Sequence, residues 1–359
     1  MPDLAATAGT RVIALGTAGG PRFWRDTERS GIATAIVAGD GFYLVDCGQG
    51  AGRQAVRAGL DLGRLKGIFL THLHSDHTVD LNGVVLYSLT ALQHRRGRPV
   101  PILGPGDRGM LPPPSPLATE PPAPFHPEQP TPGTRTMFHK LMEAHATDIN
   151  DRVIDSLRPS PTDIFQADDI EIPGGTGYHP DACPTPTMDP WVVFHDEHVV
   201  VTAVLVRHPP IAPAFAFRFD TADGSVVVSG DTAYTENLVR LSTGAGLLLH
   251  EALDFEFMER QYGDRADPTS AASLEHHRKS HSSVDDAIRV AEAAGVPRLA
   301  VHHLVPGNRE RGQWLHAGAG FSGEFMVPED LDELECRSAD EAGETAAATA
   351  AHGRGHSPG

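Results

Sequence analysis

Four candidate ligands stand within six residues of one another at positions 72–77, directly after a short apolar run, Ile68-Phe69-Leu70. The segment Thr71-His72-Leu73-His74-Ser75-Asp76-His77 offers three imidazoles and a carboxylate. In an extended or turning backbone alternate side chains project the same way, so His72 and His74 share a face. Asp76 and His77, past the turn, then face a second point close by. Imidazole together with carboxylate suits zinc, whose ligands lie at ~2.0–2.2 Å. A solvated polar loop accounts for any one of these residues, but not for four ligand types behind a buried strand.

A two-metal site needs more than four ligands, and the rest should arrive at the ends of other strands. His208 closes the strand-like run 201–207. Asp231 follows Val226-Val227-Val228-Ser229-Gly230, where the glycine permits a sharp turn. His303 follows Leu299-Ala300-Val301-His302. Strand-end polar residues are common and a Gly-Asp is ordinarily a turn. Their joint occurrence beside the first motif is what makes them ligand candidates.

Strand-like and helix-like runs alternate through the first hundred residues, with strands at 11–15, 32–38, 42–45 and 67–70 and helices at 49–58 and 79–92. Between 99 and 132 the pattern breaks, and 13 of the 30 prolines fall there. Proline supplies no backbone donor and restricts its neighbour, so an irregular insertion is expected, placed to form a lid or a wall for substrate. A helix is expected over 134–158, with Met137, Leu141, Ala144 and Ile149 on one face. Strands resume at 199–206, 214–219, 225–228 and 245–249. A helix capped by Ser282 or Ser283 then runs to 294, before a strand at 298–301. Residues 337–359 hold no Leu, Ile, Val or aromatic and are expected to be a disordered tail, leaving 1–336 as a single domain.

Charge and cysteine content narrow the function classes. The formal net charge is −18, and binding to a phosphate backbone rests on Lys and Arg displacing counterions, so the balance weighs against a nucleic-acid partner. No stretch approaches the ~20 apolar residues of a membrane span, and residues 1–6 lack the basic patch and apolar core of a secretory signal. Cys47, Cys183 and Cys336 are scattered and odd in number, which excludes a disulfide framework and points to a reducing, cytoplasmic compartment.

His72-Leu73-His74-Ser75-Asp76-His77 resembles the HxHxDH signature of the metallo-β-lactamase superfamily. Leu15-Gly16-Thr17-Ala18-Gly19-Gly20, Leu44-Val45-Asp46-Cys47-Gly48, Ser229-Gly230-Asp231-Thr232 and His250-Glu251-Ala252 resemble its ribonuclease Z and arylsulfatase-like branches. Gly19-Gly20-Pro21-Arg22 and His303-Leu304-Val305-Pro306-Gly307 look closest to the arylsulfatase-like members. The resemblance implies an α+β fold, a four-layer αββα sandwich with the metals at one edge of the sheets. It implies two zinc ions, one held by His72, His74 and His208 and the other by Asp76, His77 and His303, with Asp231 bridging. His195 and His198 lie near His208 in sequence, but the position of His208 matches the family order better. Asp46 resembles a carboxylate that orients a ligand imidazole. His250-Glu251-Ala252 and His281-Ser282-Ser283 resemble stretches that sit near the leaving group in ribonuclease Z, departing from them at Leu253 and Ser283. His276, His277 and His302 have no assigned role.

A water shared by two divalent ions would be acidified enough to attack an ester at neutral pH. Asp76, His250 and His281 are the expected catalytic side chains, with His250 the candidate proton donor to the leaving group. The expected substrate is a small anionic ester, an aryl sulfate or phosphodiester. The alternatives are a ribonuclease Z-type endonuclease acting at tRNA 3′ ends and a lactone or β-lactam hydrolase. Against the tRNA reading stands the lack of a Gly- and Lys-rich excursion to grip the RNA. A diiron redox protein or a metal-binding scaffold uses the same fold, and the full ligand set argues against the scaffold. Members of the fold often dimerise, so a homodimer is a further expectation.

Overall fold

Among the described residues fourteen strands form two sheets, because nearly every strand carries apolar residues on both of its faces. The computed structural model describes residues 9–264 and 266–337. Its strands in chain order are β1 (Arg11–Gly16), β2 (Ala33–Ala38), β3 (Gly41–Val45), β4 (Leu65–Phe69), β5 (Val100–Pro105), β6 (Phe165–Ile170) and β7 (Trp191–His195). They continue with β8 (Val200–Leu205), β9 (Phe215–Asp220), β10 (Ser225–Val228), β11 (Leu247–Leu253), β12 (Arg298–Val305), β13 (Glu324–Met326) and β14 (Glu333–Glu335). One sheet runs β14-β1-β2-β3-β4-β5-β6 and the other β13-β12-β11-β10-β9-β8-β7.

Alternation assigns each face. Val12, Ile36, Tyr43, Val45 and Phe69 of the first sheet pack with Val201, Phe217 and Phe219 of the second. Ile13, Leu15, Ala35, Leu44 and Ile68 point the other way. They meet helices α1 (Ala51–Arg57), α2 (Ser75–Thr78), α3 (Leu81–Ser88), α4 (Thr134–Ala144), α5 (Ala146–Ile154) and α6 (Pro161–Ile164), of which α1, α3, α4 and α6 supply buried side chains to this cluster. Then follow α7 (Glu236–Ser242), α8 (Phe255–Tyr262), α9 (Pro268–Ser280), α10 (Val284–Ala294) and α11 (Arg311–Ala317). Leu238 of α7, Val290 of α10 and Trp314 of α11 cover the outer face of the second sheet. These are the four layers of an αββα sandwich, the metallo-β-lactamase fold.

The irregular insertion is shorter than expected. Residues 100–105 form β5, which pairs parallel with β4 and β6. Proline removes a donor but keeps an extended backbone, and Pro101 and Pro105 sit near the strand ends, where little is lost. Residues 106–133 carry no helix or strand. The helix expected over 134–158 divides at His145 into α4 and α5. Of the expected tail, residues 338–359 lie outside the described residues. No helix among the described residues is long and apolar enough to cross a membrane. Cys47, Cys183 and Cys336 are free thiols.

Candidate metal centre

The ligand candidates meet where strands of both sheets end. β4 delivers the 72–77 segment, whose last residues open α2. Asp231 leaves β10 through Gly230, which has φ 59°, and a Cβ there would stand 2.8 Å from the Phe215 carbonyl oxygen. Only glycine makes that turn without displacing the backbone. His303 is not past a strand end, as the sequence implied, but inside β12. It is the extra residue of a β-bulge, with φ 46°, because Glu251 pairs with His302 and Ala252 with Leu304. The bulge re-aims the side chain, and its ring approaches Gly19 so closely that a Cβ there would stand 2.5 Å from it.

Two ligand groups result, and a third set, His208, Asp231 and His281, overlaps both. His74 Nδ1 lies 3.1 Å from both His72 Nε2 and His208 Nε2. Asp76, His77, Asp231 and His303 form the second group, with each residue's donor atom within 4.8 Å of the others. His77 Nε2 is 3.4 Å from Asp231 Oδ1, and His303 Nε2 is 3.3 Å from Asp76 Oδ2 and 3.4 Å from Asp231 Oδ2. Asp231 also reaches the first group, 3.8 Å from His72 Nε2.

Hydrogen bonds behind the rings fix their tautomers. His77 donates its Nδ1–H to Asp46 at 2.8 Å, and His208 donates its Nδ1–H to the Ser280 carbonyl at 2.9 Å. His208 therefore turns a bare Nε2 toward the cluster, whereas at His77 burial is outweighed by Asp231 and Asp46, which hold the ring well above its usual range, so that a cation at its Nε2 would displace a proton. Burial, then the neighbouring imidazoles His77 and His208, holds His72 well below the usual histidine range. Burial followed by His281 does the same to His208. These rings are neutral and able to ligate. Burial opposes ionisation of Asp76, but His77 and His303 outweigh it and hold the carboxyl low. Asp231 is held low in the same way. His77 Nε2 and Asp231 Oδ1 are buried without a hydrogen-bond partner. Lone pairs from six residues and a shared carboxylate converging on orphaned atoms are what divalent cations satisfy, so the residues fit the metals.

Glu251, given no role of its own by the sequence, takes the position expected of His250. Neighbours on a strand face opposite ways, and it is Glu251 that faces the cluster. It accepts from Thr232 N at 2.6 Å, stands 2.9 Å from His281 Nδ1 and lies 3.9 Å from His303 Nδ1. His250 is buried with Nδ1 bonded to the Glu251 carbonyl, and Asp286 of α10 is among the charges acting on it. Its Nε2 finds no hydrogen-bond partner among the described residues. His281 does lie at the centre, 3.8 Å from Asp231. Burial first, then Asp231, pushes the Glu251 carboxyl well above its usual range. His276, without a role in the sequence reading, brings its ring to 6.0 Å from His208 and 6.3 Å from His74. His302 borders the cluster, lining one small pocket with Asp46, His77 and Asp231, and its Nδ1 is 3.5 Å from Thr34 Oγ1. His195 lies in β7 and His198 pairs with Asp40, both away from the cluster.

The segment 106–133 lies to one side of this centre. Arg108 bonds Asp181 and the Pro210 carbonyl, two residues beyond His208. Leu117 shares a cavity of about 380 Å³ with Leu274 and Arg278 of α9, the helix that ends at His281.

The profile of the Metallo-beta-lactamase superfamily matches residues 26–203, a span that contains the 72–77 segment and stops short of His208, Asp231 and His303. Ribonuclease Z of Mycobacterium bovis (strain BCG / Pasteur 1173P2) is 28% identical over 316 residues, covering 86% of this chain and 93% of that protein. Ribonuclease Z of Mycobacterium marinum is 27% identical over 320 residues, covering 86% and 94%. Among solved structures, the short form of human tRNase Z matches with a TM-score of 0.59 at 20% identity, over 91% of this chain and 99% of that one. The metallo-beta-lactamase fold protein YhfI of Bacillus subtilis matches with a TM-score of 0.56 at 17% identity, over 91% and 99%. Superfamily proteins bind divalent metals, in keeping with the His and Asp groups gathered here. The fold, the ligand groups and the profile agree that this chain carries a metallo-beta-lactamase superfamily domain.

Proposed function

We propose that this metal-dependent ester hydrolase is a phosphodiesterase of the ribonuclease Z type, working with two zinc ions. The observation that carries the reading is the contact of 2.9 Å between Glu251 Oε2 and His281 Nδ1, beside Asp231. Burial, then Asp231, holds the Glu251 carboxyl well above its usual range, which favours its protonated form. An RNA phosphodiester expels an alkoxide, which departs readily only when protonated, whereas an aryl sulfate expels a phenolate that needs little help. A proton stored at Glu251–His281 therefore serves the first substrate and is idle for the second. The mycobacterial relatives are ribonucleases Z, so the aryl sulfate expected from the sequence gives way to the phosphodiester.

Bound cations would supply an acidified water and polarise the phosphoryl oxygens. His72, His74 and His208 would hold one ion and Asp76, His77 and His303 the other, with Asp231 common to both. Asp46 and the Ser280 carbonyl keep the rings aimed, and Glu251 with His281 protonates the departing oxygen.

A second reading, a phosphodiester smaller than tRNA, is favoured by charge. The chain carries −18, and Arg108, the one Lys or Arg in 106–133, is already paired with Asp181. The test is a panel of bis-p-nitrophenyl phosphate, p-nitrophenyl sulfate, a homoserine lactone and a precursor tRNA, given to protein of measured zinc content. Cleavage of the phosphodiesters with the sulfate spared is expected, and the tRNA separates the two readings. Turnover of sulfate or lactone with both phosphodiesters intact overturns the proposal.

A further inference from the structure

The loop after β1 shapes a pocket beside the ligand cluster. Residues 20–24 and 27–31 border a cavity of about 420 Å³ that Ser75 and Asp76 also line, so it adjoins the candidate metal centre. That volume falls within the range of small-molecule sites, ~300–1,000 Å³. Gly20 N donates to Asp76 Oδ2 at 3.0 Å, tying the loop to the ligands. Trp24 is fixed in place: its Nε1–H donates to the Gly19 carbonyl at 2.9 Å, and its ring lies 6.0 Å from Phe257. The Arg22 guanidinium rests 4.9 Å from the centre of the Trp24 ring, and no carboxylate among the described residues pairs with it. Phe23, on the same wall, is 85% exposed. A rigid aromatic wall, an uncovered phenyl ring and an unpaired cation thus stand at the door of a centre built for a phosphodiester.

We propose that this pocket holds the nucleobase adjoining the scissile phosphodiester, stacked on Phe23, with Arg22 meeting the negative charge beside it. The substrate class rests on the phosphodiesterase reading above; the pocket itself rests on the loop. Every base has a π face, so stacking on an aromatic side chain binds without demanding a sequence. The stacked guanidinium of Arg22 is held ready to donate, so little freedom is lost when an anion arrives.

Calorimetric titration of the zinc-loaded protein with adenosine 5′-monophosphate and with ribose 5-phosphate isolates the base, because the two ligands share sugar and phosphate. Adenosine 5′-monophosphate is expected to bind about tenfold or more tightly than ribose 5-phosphate. Phe23→Ala should remove that advantage, Phe23→Trp should keep it, and Arg22→Ala should weaken both ligands. Phe23 is too exposed for its loss to disturb the core, and equal melting temperatures would check this. Equal affinity for the two ligands, or an advantage that survives Phe23→Ala, overturns the proposal. The two readings fail separately. Phe23-dependent binding in a protein that cleaves no phosphodiester sinks the phosphodiesterase and leaves the pocket. Phosphodiester cleavage with Phe23-independent binding does the reverse.

Discussion

The carboxylate of Asp46 holds the ring of His77, accepting its Nδ1–H at 2.8 Å while taking both the N–H and the hydroxyl of Thr71 at 2.8 Å each. One side chain, itself at φ 63° just past β3, thus sets a ligand ring and the strand end that precedes the 72–77 segment. An amide has a single carbonyl oxygen, so in Asp46→Asn either Thr71 or His77 loses its acceptor. Zinc affinity, read by chelator competition, should fall about 10- to 100-fold, the usual effect of losing a partner behind a ligand histidine. Unchanged affinity would mean that Asp46 only supports the strand.

Glu251 and His250 make opposite predictions although they are neighbours. Glu251→Gln keeps the acceptor for Thr232 N but can no longer give up a proton. Its kcat should fall about 10²- to 10⁴-fold for an ester with an alkoxide leaving group. The fall should be much smaller for a p-nitrophenyl ester, and zinc content should be unchanged. The acid form is the working one, so the alkoxide reaction slows as pH rises through the elevated Glu251 pKa, and that alkaline limb vanishes in the variant. His250→Gln changes stability without altering the dependence on leaving group. Equal losses on both esters in Glu251→Gln would remove it from the proton path.

The thiols offer a check on packing that is independent of the centre. Burial, then the charges of Asp46 and Asp80, raises Cys47 well above the usual thiol range, and burial pushes Cys336 up to about 11. At pH 8 a thiol with that pKa is thiolate in about one part in a thousand, and the thiolate is the reactive form. Cys183 is the half-buried one. Native protein should therefore react with Ellman's reagent at one thiol per chain, Cys183→Ser at none, and unfolded protein at three. Fast reaction at two or more native thiols would contradict the packing around β3 and β14.

How much of this was legible in the sequence follows from where each signal is local. The apolar runs that became β1, β2, β3, β4, β8, β9 and β10 were readable because a strand buried on both faces writes its burial into consecutive residues. Ligands were readable because they follow those runs. β6, with Gln166, Asp168 and Asp169 on an edge strand, and the short helices α7 and α8 carry no such run. The exchange of His250 for Glu251 has a sharper cause. The uninterrupted apolar run ends at 249, whereas β11 continues to Leu253, so the alternation that decides which neighbour faces the cluster extends past the residues that signal a strand. The bulge at His303 depends on register with β11, and the contact of Arg108 with Asp181 spans a long loop. Neither leaves a mark in the nearby residues.

Asp231 is the residue on which the two-ion reading turns, because its carboxylate reaches both ligand groups. Its Oδ1 is 3.4 Å from His77 Nε2, and its Oδ2 is 3.4 Å from His303 Nε2 and 3.8 Å from His72 Nε2. His72, His74 and His208 keep three ligands of their own when it is removed, enough for a zinc site with an open position. Asp76, His77 and His303 also remain three, but they lose the carboxylate whose charge sets the local field. Asp231→Ala should therefore drop bound zinc from two equivalents toward one, measured by mass spectrometry of metals after dialysis. Phosphodiester turnover should fall further than in Asp46→Asn, since two bound ions would lose the carboxylate common to both. A variant that binds two equivalents and turns over like the parent would show that the ligand groups work independently and that Asp231 joins nothing.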